Sequence, residues 1–568
     1  MSTEWDHSYD VVVVGSGAAG MTAAITARLR GLTALVVEKT ALYGGTTALS
    51  GGAIWVPGNF HLDAAGLADT PEKARAYLDA TVGDRVPAAR KDAYLEHGPR
   101  MVRELHDRTA VRFVHTPGYS DYFPEELGGF PEGRSVEPRI FDFTRLPPEQ
   151  RATMRRAGLP TYGLTITSKD FRHLNMVRRT WAGKLTSARV GARAVGALLS
   201  GRKPIALGEA LIARMRHSLA ALGGELWLSA PLTALVEENG RITGIRVTFP
   251  GREVTVRATG GVVLASGGFS HNQELREKYL PAPTSAEWSA APEGQTGDGL
   301  RAGTAVGAAV DLMDRVWGAP SVVVPPASGG GHRAGGKPFF LVAERGIPGM
   351  VIVNSAGERY ANEAAPYHQF VDAMYAADRP GASTVPSWLI LDATAKSRYL
   401  FMGLFPGQPF PRPWRDSGLV KKAGTVEELA VRIGAAPRRL RATVDRFNGF
   451  ARAGRDDDFR RGDSVYDRYY GDPTLPNPNL APLERGPFYA VPVHPGDIGT
   501  KGGLVTDATA RVLREDGTVI DGLYASGNVS AAVMGATYPG PGATIGPAMT
   551  FSWLAADHIT RERKIRGR

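Results

Sequence analysis

The feature that most constrains this chain is an apolar run that ends in a glycine-spaced turn and continues as a helix former. Asp10 leads into Val11-Val12-Val13-Val14, which is β-branched and apolar, Gly15-Ser16-Gly17-Ala18-Ala19-Gly20 follows at once, and residues 21–30 favour helix. A second strand over Thr33-Ala34-Leu35-Val36-Val37 ends in Glu38, eighteen residues after Gly20. In that context Gly15 permits a tight turn, Gly17 lets backbone approach a pyrophosphate, and Gly20 allows close helix packing. The helix start then faces the diphosphate, and Glu38 can accept from a ribose hydroxyl. A ligand-free glycine turn is the alternative in a chain with 69 glycines. Strand, helix, second strand and acid together favour the dinucleotide fingerprint.

Glu38 and Lys39 lead into Tyr43-Gly44-Gly45-Thr46-Thr47-Ala48-Leu49-Ser50-Gly51-Gly52, a small-residue loop whose backbone must lie against something flat or charged. NAD-binding folds do not need such a loop. Val262-Val263-Leu264-Ala265-Ser266-Gly267-Gly268-Phe269 and Ile520-Asp521-Gly522-Leu523-Tyr524-Ala525-Ser526-Gly527-Asn528 each read as a strand closing on a ligand-facing glycine turn, so both ends of the chain are expected to build one site. Together these segments resemble FAD-binding proteins of the fumarate reductase and ketosteroid dehydrogenase superfamily. The resemblance implies an α/β fold, α+β overall, with a Rossmann-type FAD-binding domain assembled from both chain ends and an inserted α+β catalytic domain. It puts Glu38 on the adenosine ribose and the 44–52 loop along the pyrophosphate and flavin. Lys39, Ala265, Ser266, Gly267, Asp298, Gly527, Asn528, Gly542, Thr544 and Ile545 complete the implied FAD contacts.

Composition agrees with that class. A chain of 568 residues that is 43% hydrophobic can bury large cores, and length alone suggests about three or four domains where the resemblance implies two. After about Leu280 prolines accumulate, at 281, 283, 292, 320, 325 and 326, and a glycine-rich loop spans 328–336. The expected division is therefore 1–286 and 495–568 for the FAD-binding domain and 287–494 for the catalytic domain. The 354–367 stretch is the expected substrate-facing surface, and the proline-rich 471–487 stretch a surface connection back to the flavin domain. Cysteine is absent, which excludes disulfides, a cysteinyl flavin, an Fe–S cluster and a thiol nucleophile. The twelve histidines show no i, i+4 pair and there is no Gly-x-Ser-x-Gly, so neither a metal site nor serine-hydrolase chemistry is expected. No apolar run reaches about 18 residues and the N-terminus is polar, so a cytoplasmic location is expected. One dinucleotide fingerprint implies tight, noncovalent FAD and no direct use of NAD(P)H.

The formal net charge of +10 is unevenly placed. The 171–203 stretch carries Arg172, Arg178, Arg179, Lys184, Arg189, Arg193, Arg202 and Lys203 without Asp or Glu, interleaved with Trp181, Leu185, Val190, Val195, Leu198 and Leu199. One reading is a basic amphipathic helix on anionic lipid, which suits a water-insoluble substrate and a quinone acceptor. The other is a solvated charged face on a helix packed against the flavin domain. Nucleic acid is not favoured, since no nucleic-acid module accompanies the charge.

The tail carries the chemistry. Fumarate reductases resemble this chain in plan, but hold their dicarboxylate with His and Arg from two glycine turns that correspond here to Gly499-Thr500-Lys501-Gly502-Gly503 and Thr537-Tyr538-Pro539-Gly540. Both anchors are gone. A neutral Tyr cannot neutralise a carboxylate, but its hydroxyl can donate to a ketone oxygen and a glycine amide can supply a second donor. The helix expected after Thr544 would present its positive end near the flavin. With Pro117-Gly118-Tyr119-Ser120-Asp121-Tyr122, Glu358-Arg359-Tyr360-Ala361-Asn362-Glu363, Pro366-Tyr367, Gly496-Asp497-Ile498-Gly499-Thr500-Lys501-Gly502-Gly503 and Tyr538-Pro539-Gly540-Pro541-Gly542, the chain resembles the 3-ketosteroid Δ1-dehydrogenases over nearly its whole length.

That resemblance implies removal of hydrogen from C1 and C2 of a 3-ketosteroid. Carried over by position, the Tyr538 hydroxyl and the Gly542 amide hold the C3 carbonyl, Tyr367 takes the C2 proton, Tyr122 supports Tyr367, and flavin N5 takes the C1 hydride. Each tyrosine has a structural alternative, and Tyr119 rivals Tyr122. A Δ4-dehydrogenase, a fumarate-reductase-like flavin reductase and a membrane docking protein remain as rival readings.

Overall fold

The computed structural model describes residues 4–157, 164–325 and 336–566. The first unit forms as the sequence places it: β1 (His7–Val14), α1 (Ala18–Leu29) and β2 (Ala34–Val37). The helix begins inside the fingerprint, because Ala18 and Ala19 are helix formers with no side chain to obstruct the turn. β1 and β2 run parallel with Val11 opposite Ala34. Val11, Val12 and Val13 are all buried, and a strand covered on both faces needs an unbroken apolar run and not an alternating one. α1 packs against the C-terminal helix Ile545–Arg566 and the helix Leu207–Ala221.

The main sheet draws on both ends of the chain. Its order is Arg511–Leu513, Val519–Ala525, Arg241–Thr248, Glu253–Leu264, β1, β2, Glu225–Trp227, with Leu232–Glu238 hydrogen-bonded to Arg241–Thr248. Val519–Ala525 also pairs in parallel with Glu253–Leu264, Val262 lying opposite Leu523. The ends of β1, Glu253–Leu264 and Val519–Ala525 therefore point at one crevice, where open α/β sheets bind ligands.

A second, antiparallel sheet orders Met350–Val353, Ser387–Leu391, Phe488–Val493 and Lys421–Ala423. Its period of two is visible in the packing: Val351, Val353 and Ile390 face the helices Val426–Ile433 and Pro437–Ala453, while Met350, Ile352 and Leu389 face the opposite core.

One expectation needs correction. The 471–487 stretch is not a plain surface connection: Asn477 and Asn479 are buried, and Asn479 donates to the carbonyls of Gly346 and Asp467 at 2.7 Å each. Side-chain amides there satisfy backbone that would otherwise be stranded, and the segment delivers the chain to Phe488–Val493 of the second sheet. The 328–336 loop lies, apart from Gly336, outside the described residues, as does Pro326.

The basic stretch forms two helices, Ser168–Leu174 and Trp181–Leu199. Its outward face is not simply charged. Trp181, Leu185, Val195, Leu198 and Leu199 are exposed there, while Gly183, Thr186 and Val190 turn inward. Among the described residues no helix is long and apolar enough to cross a membrane.

Candidate active site

A cavity of about 1360 Å³ opens along the ends of the three central strands. That exceeds the roughly 300–1,000 Å³ of a single-ligand pocket and leaves room for a dinucleotide and a second molecule. Gly15, Ser16, Gly17, Ala18 and Ala19 form one edge, followed by Glu38, Lys39, Gly45, Thr46, Thr47, Ser50, Gly51 and Gly52. Ala265, Ser266, Gly267, Asp298, Gly527, Asn528, Gly542, Thr544 and Ile545 complete that part of the wall. The C-terminal helix thus starts at the cavity, as expected.

Gly20 and Gly44 stand off the wall. A Cβ on Gly20 would meet the Gly15 carbonyl at 1.8 Å, so its glycine serves helix-to-turn packing; Gly44 has φ +115° and a Cβ there would press on Ala48 at 2.9 Å.

The wall fits FAD by its own geometry. A Cβ on Gly17 would touch nothing nearer than Thr47 Oγ1 at 3.7 Å, so the protein's own packing does not demand glycine there, and a close-lying ligand does. The Ser266 hydroxyl is buried at the wall without a protein partner. Glu38 accepts from Ser16 Oγ at 2.6 Å and from Thr40 Oγ1 at 2.9 Å, and Ser16 Oγ in turn accepts from the Gly44 amide at 3.0 Å. The acid that closes β2 is thereby locked to the turn that opens α1. Lys39 donates to Asp298 at 2.6 Å and to Thr296 at 2.7 Å, tying the second strand to the 295–298 segment.

At the far end of the cavity Tyr122, Tyr367 and Tyr538 form a triangle of edge-to-face rings. Centroid separations are 5.4 Å for Tyr122 and Tyr367, 5.5 Å for Tyr367 and Tyr538, and 5.1 Å for Tyr122 and Tyr538. The Tyr122 hydroxyl donates to the Tyr367 oxygen at 2.6 Å. Burial drives Tyr367 well above the usual 10.0, with Tyr538, Tyr119 and Tyr466 adding to the rise, and the Tyr122 hydrogen bond works against it. Burial also raises Tyr538, opposed by its neighbours Tyr367, Thr544 and the Gly542 amide. The Tyr122 hydrogen bond therefore acts to lower the Tyr367 phenol, but burial outweighs it.

Each tyrosine is positioned from a different part of the chain. Tyr367 opens the helix Tyr367–Ala377 directly after Pro366, whose fixed φ suits a helix start. Tyr122 sits in a loop whose amide donates to the Pro539 carbonyl at 2.9 Å, so it is fastened to the Tyr538 turn itself. Gly542 has φ +95°, and a Cβ there would strike the Ala53 carbonyl at 2.3 Å. Tyr119, also on the wall, stacks on Tyr469 at 4.5 Å. Tyr360 pairs with Ser387 Oγ at 2.8 Å, away from the cavity.

The 354–367 stretch is not a substrate-facing surface. Within it only Tyr367 reaches the cavity; Asn354 and Glu363 are buried. Arg359 grips Glu363 through two 2.7 Å bonds and Asp456 through two more at 2.7 and 3.1 Å, and Arg461 reaches Glu363 at 3.2 Å. Against the burial that opposes it, Arg359 and Arg461 hold the Glu363 carboxyl below its usual range. Breaking one member of such a network strands a buried charge, so it makes a rigid base for Tyr367.

Sequence reasoning missed much of the apolar wall. Phe171 and Leu174, Phe339, Phe340 and Ile347, and Leu400 line the chamber beside the tyrosines, and Gln295 and Arg155 line the dinucleotide part. Periodicity marks such residues as buried without saying against what; only the Gly294-Gln295-Thr296-Gly297 run offered a turn signal.

A sheet of this topology with a glycine cradle at its edge defines an FAD-binding flavoprotein, and the family described as FAD binding domain matches residues 10–545. A 3-oxosteroid 1-dehydrogenase of Mycolicibacterium smegmatis is 47% identical over 560 residues, covering 97% of this chain and 97% of that protein. One from Mycobacterium tuberculosis is 46% identical over 563 residues, covering 97% and 98%. The crystal structure of 3-ketosteroid delta1-dehydrogenase from Sterolibacterium denitrificans in complex with 1,4-androstadiene-3,17-dione matches with a TM-score of 0.92 at 40% identity, covering 98% of this chain and 100% of that one. The chain belongs to the FAD-dependent flavoprotein family that contains the 3-oxosteroid 1-dehydrogenases.

Proposed function

We propose that this chain is an FAD-dependent dehydrogenase that introduces the 1,2 double bond into 3-ketosteroids. The observation that carries the reading is the tyrosine triangle, in which a phenol hydrogen-bonded at 2.6 Å faces a second phenol beside a glycine amide, with no carboxylate-binding cation among the three. The Tyr538 hydroxyl and Gly542 amide hold the C3 oxygen, which acidifies the C2 proton by stabilising the enolate. Tyr367, as the phenolate that Tyr122 stabilises through its hydrogen bond, takes that proton and becomes the neutral phenol. FAD, when bound, supplies the acceptor for the hydride that leaves C1. Gly15 to Gly17, the 45–52 loop, Ser266 and Asn528 hold the cofactor in this reading, and Glu38 serves its ribose. The domain division at about 286 and 494 is part of the same proposal.

The test is anaerobic: a 3-ketosteroid bleaches the bound flavin and succinate does not. Product analysis then separates 1,2 from 4,5 desaturation, and bleaching by succinate alone would return the fumarate-reductase reading.

We further propose peripheral docking of a cytoplasmic enzyme on anionic lipid, with a quinone as electron acceptor. The helix Trp181–Leu199 supports it from both faces. Trp181 and Leu199, 76% and 83% exposed, lie outward among basic residues, while Ser187, Val190 and Gly191 line the cavity on the inner side. A lipid-soluble ligand could thus pass from the bilayer surface to the cavity along one helix. Binding to vesicles should require anionic lipid and weaken with salt, since surface attraction decays over about 8 Å at physiological ionic strength. Equal binding to neutral vesicles, or none, returns the solvated-face reading.

A further inference from the structure

In the turn that carries Tyr538 the Gly535 and Thr537 amides donate back to the Ala532 and Met534 carbonyls at 3.0 and 3.2 Å. Gly535 has φ +54°. Buried carbonyls need partners, and here side chains supply them. Lys501, fully buried, sends its Nζ to the Gly535 carbonyl at 3.3 Å and to the Thr537 carbonyl. His368 donates from Nε2 to the Ala536 carbonyl between them at 2.7 Å, while its Nδ1 accepts from the Gly318 amide at 3.2 Å, a pairing that fixes the neutral tautomer. Three consecutive carbonyls are therefore held by two side chains. On the other side of Tyr538, the Pro539 carbonyl accepts from Tyr77 at 2.6 Å.

Neither side chain reaches the cavity wall. His368 follows Tyr367 directly on its helix, so its bond to Ala536 links the element bearing the base to the turn bearing the ketone donor. Lys501 lies 4.3 Å from the Trp317 ring centroid, and Trp317 packs edge-on against Tyr538 at 4.8 Å. A buried lysine is costly unless its donors are used. Burial drives Lys501 well below its usual 10.5 and His368 well below 6.5.

We propose that Lys501 and His368 are positioning residues that set the Tyr538 hydroxyl at the distance from the Tyr367 oxygen that a bound ketone requires. The inference rests on the reading of Tyr538 as the ketone donor. Neither residue touches substrate in this arrangement; both act through the turn.

A double-mutant cycle on the flavin-loaded enzyme tests it, reading single-turnover flavin reduction by a 3-ketosteroid and the affinity of a 3-keto product. Lys501→Met should slow reduction about tenfold to hundredfold, since a misplacement of 1 Å can cost about 10²-fold. It should weaken product binding as well. Placed on Tyr538→Phe, the same substitution should cost less than about threefold more, because the group it positions has gone. Lys501→Arg, which keeps the donors, should recover most of the rate. His368→Gln retains a donor for Ala536 and should stay within about tenfold of the native rate where His368→Leu falls as Lys501→Met does; this pair carries the test if Lys501→Met does not fold. Equal losses from Lys501→Met with and without the Tyr538 hydroxyl, or lower melting temperature with unchanged rate and affinity, would overturn the proposal. A native rate in Tyr538→Phe alone would instead remove the ketone-donor reading, and the inference with it.

Discussion

Replacing Tyr367 by Phe isolates one oxygen atom. The ring stays, so the edge-to-face contacts with Tyr122 at 5.4 Å and with Tyr538 at 5.5 Å persist, and the chamber keeps its shape. Two quantities should then change by separate amounts. A positioned base contributes typically about 10² to 10⁴ in rate, which is about 3–5 kcal/mol of barrier. The Tyr122 hydroxyl, which donates to Tyr367 at 2.6 Å, loses its acceptor inside a buried cluster; an unsatisfied buried donor costs about 1–3 kcal/mol of stability. Stopped-flow bleaching of the bound flavin under anaerobic conditions reads the first, and thermal unfolding of the loaded enzyme reads the second. Steroid affinity should hold, because the carbonyl is gripped at Tyr538 and Gly542. Bleaching at the native rate would refute the assignment of the base and turn attention to Tyr119, which shares the wall. A rate loss matched by an equal loss of steroid affinity would also refute it, since a base that acts in the transition state does not hold the ground state.

Tyr122→Phe should be milder, and because it removes a donor that favours the Tyr367 phenolate, the ascending limb of the reduction rate should move to higher pH; an unmoved limb counts against tuning. Tyr538→Phe should lose about 10² to 10³ in turnover and also weaken binding of a 3-keto product, and tight binding would exclude it as the ketone donor. Glu38→Ala should lower FAD retention on dilution or dialysis more than it changes steroid affinity; full flavin loading would sink that assignment. Gly17→Ala should fold, since its Cβ has 3.7 Å of clearance from the protein, yet load poorly with FAD, whereas Gly20→Ala should compromise folding itself.

The parts of the molecule legible in the sequence are those governed by neighbours in the chain. Gly15, Gly17, Gly20 and Glu38 lie within 23 residues of one another, and their spacing alone dictates strand, turn, helix and acid. Tyr122 and Tyr367 meet across 245 residues, which no local pattern encodes; only resemblance to a family brought them together. The 354–367 stretch reads as substrate-facing, but Arg359 and Glu363 turn instead to Asp456 and Arg461, partners far away in the chain that make burial of the charges tolerable. The prolines of 471–487 suggested a surface segment, but Asn477 and Asn479 draw the backbone inward. In the basic stretch the charge was legible, and the direction in which Trp181 and Leu198 point was not.

The parallel pairing of Val262, Val263 and Leu264 with Leu523, Tyr524 and Ala525 bears on how the chain is made. A ribosome delivers the fingerprint turn early and the last wall of the same crevice more than 500 residues later. Throughout that interval the short apolar edge at 262–264 has no neighbour on one side, and open strand edges recruit whatever strand arrives first. Completion of the dinucleotide crevice therefore waits until the strand Val519–Ala525 has been made, and the fingerprint turn, although made first, faces an unfinished wall until then.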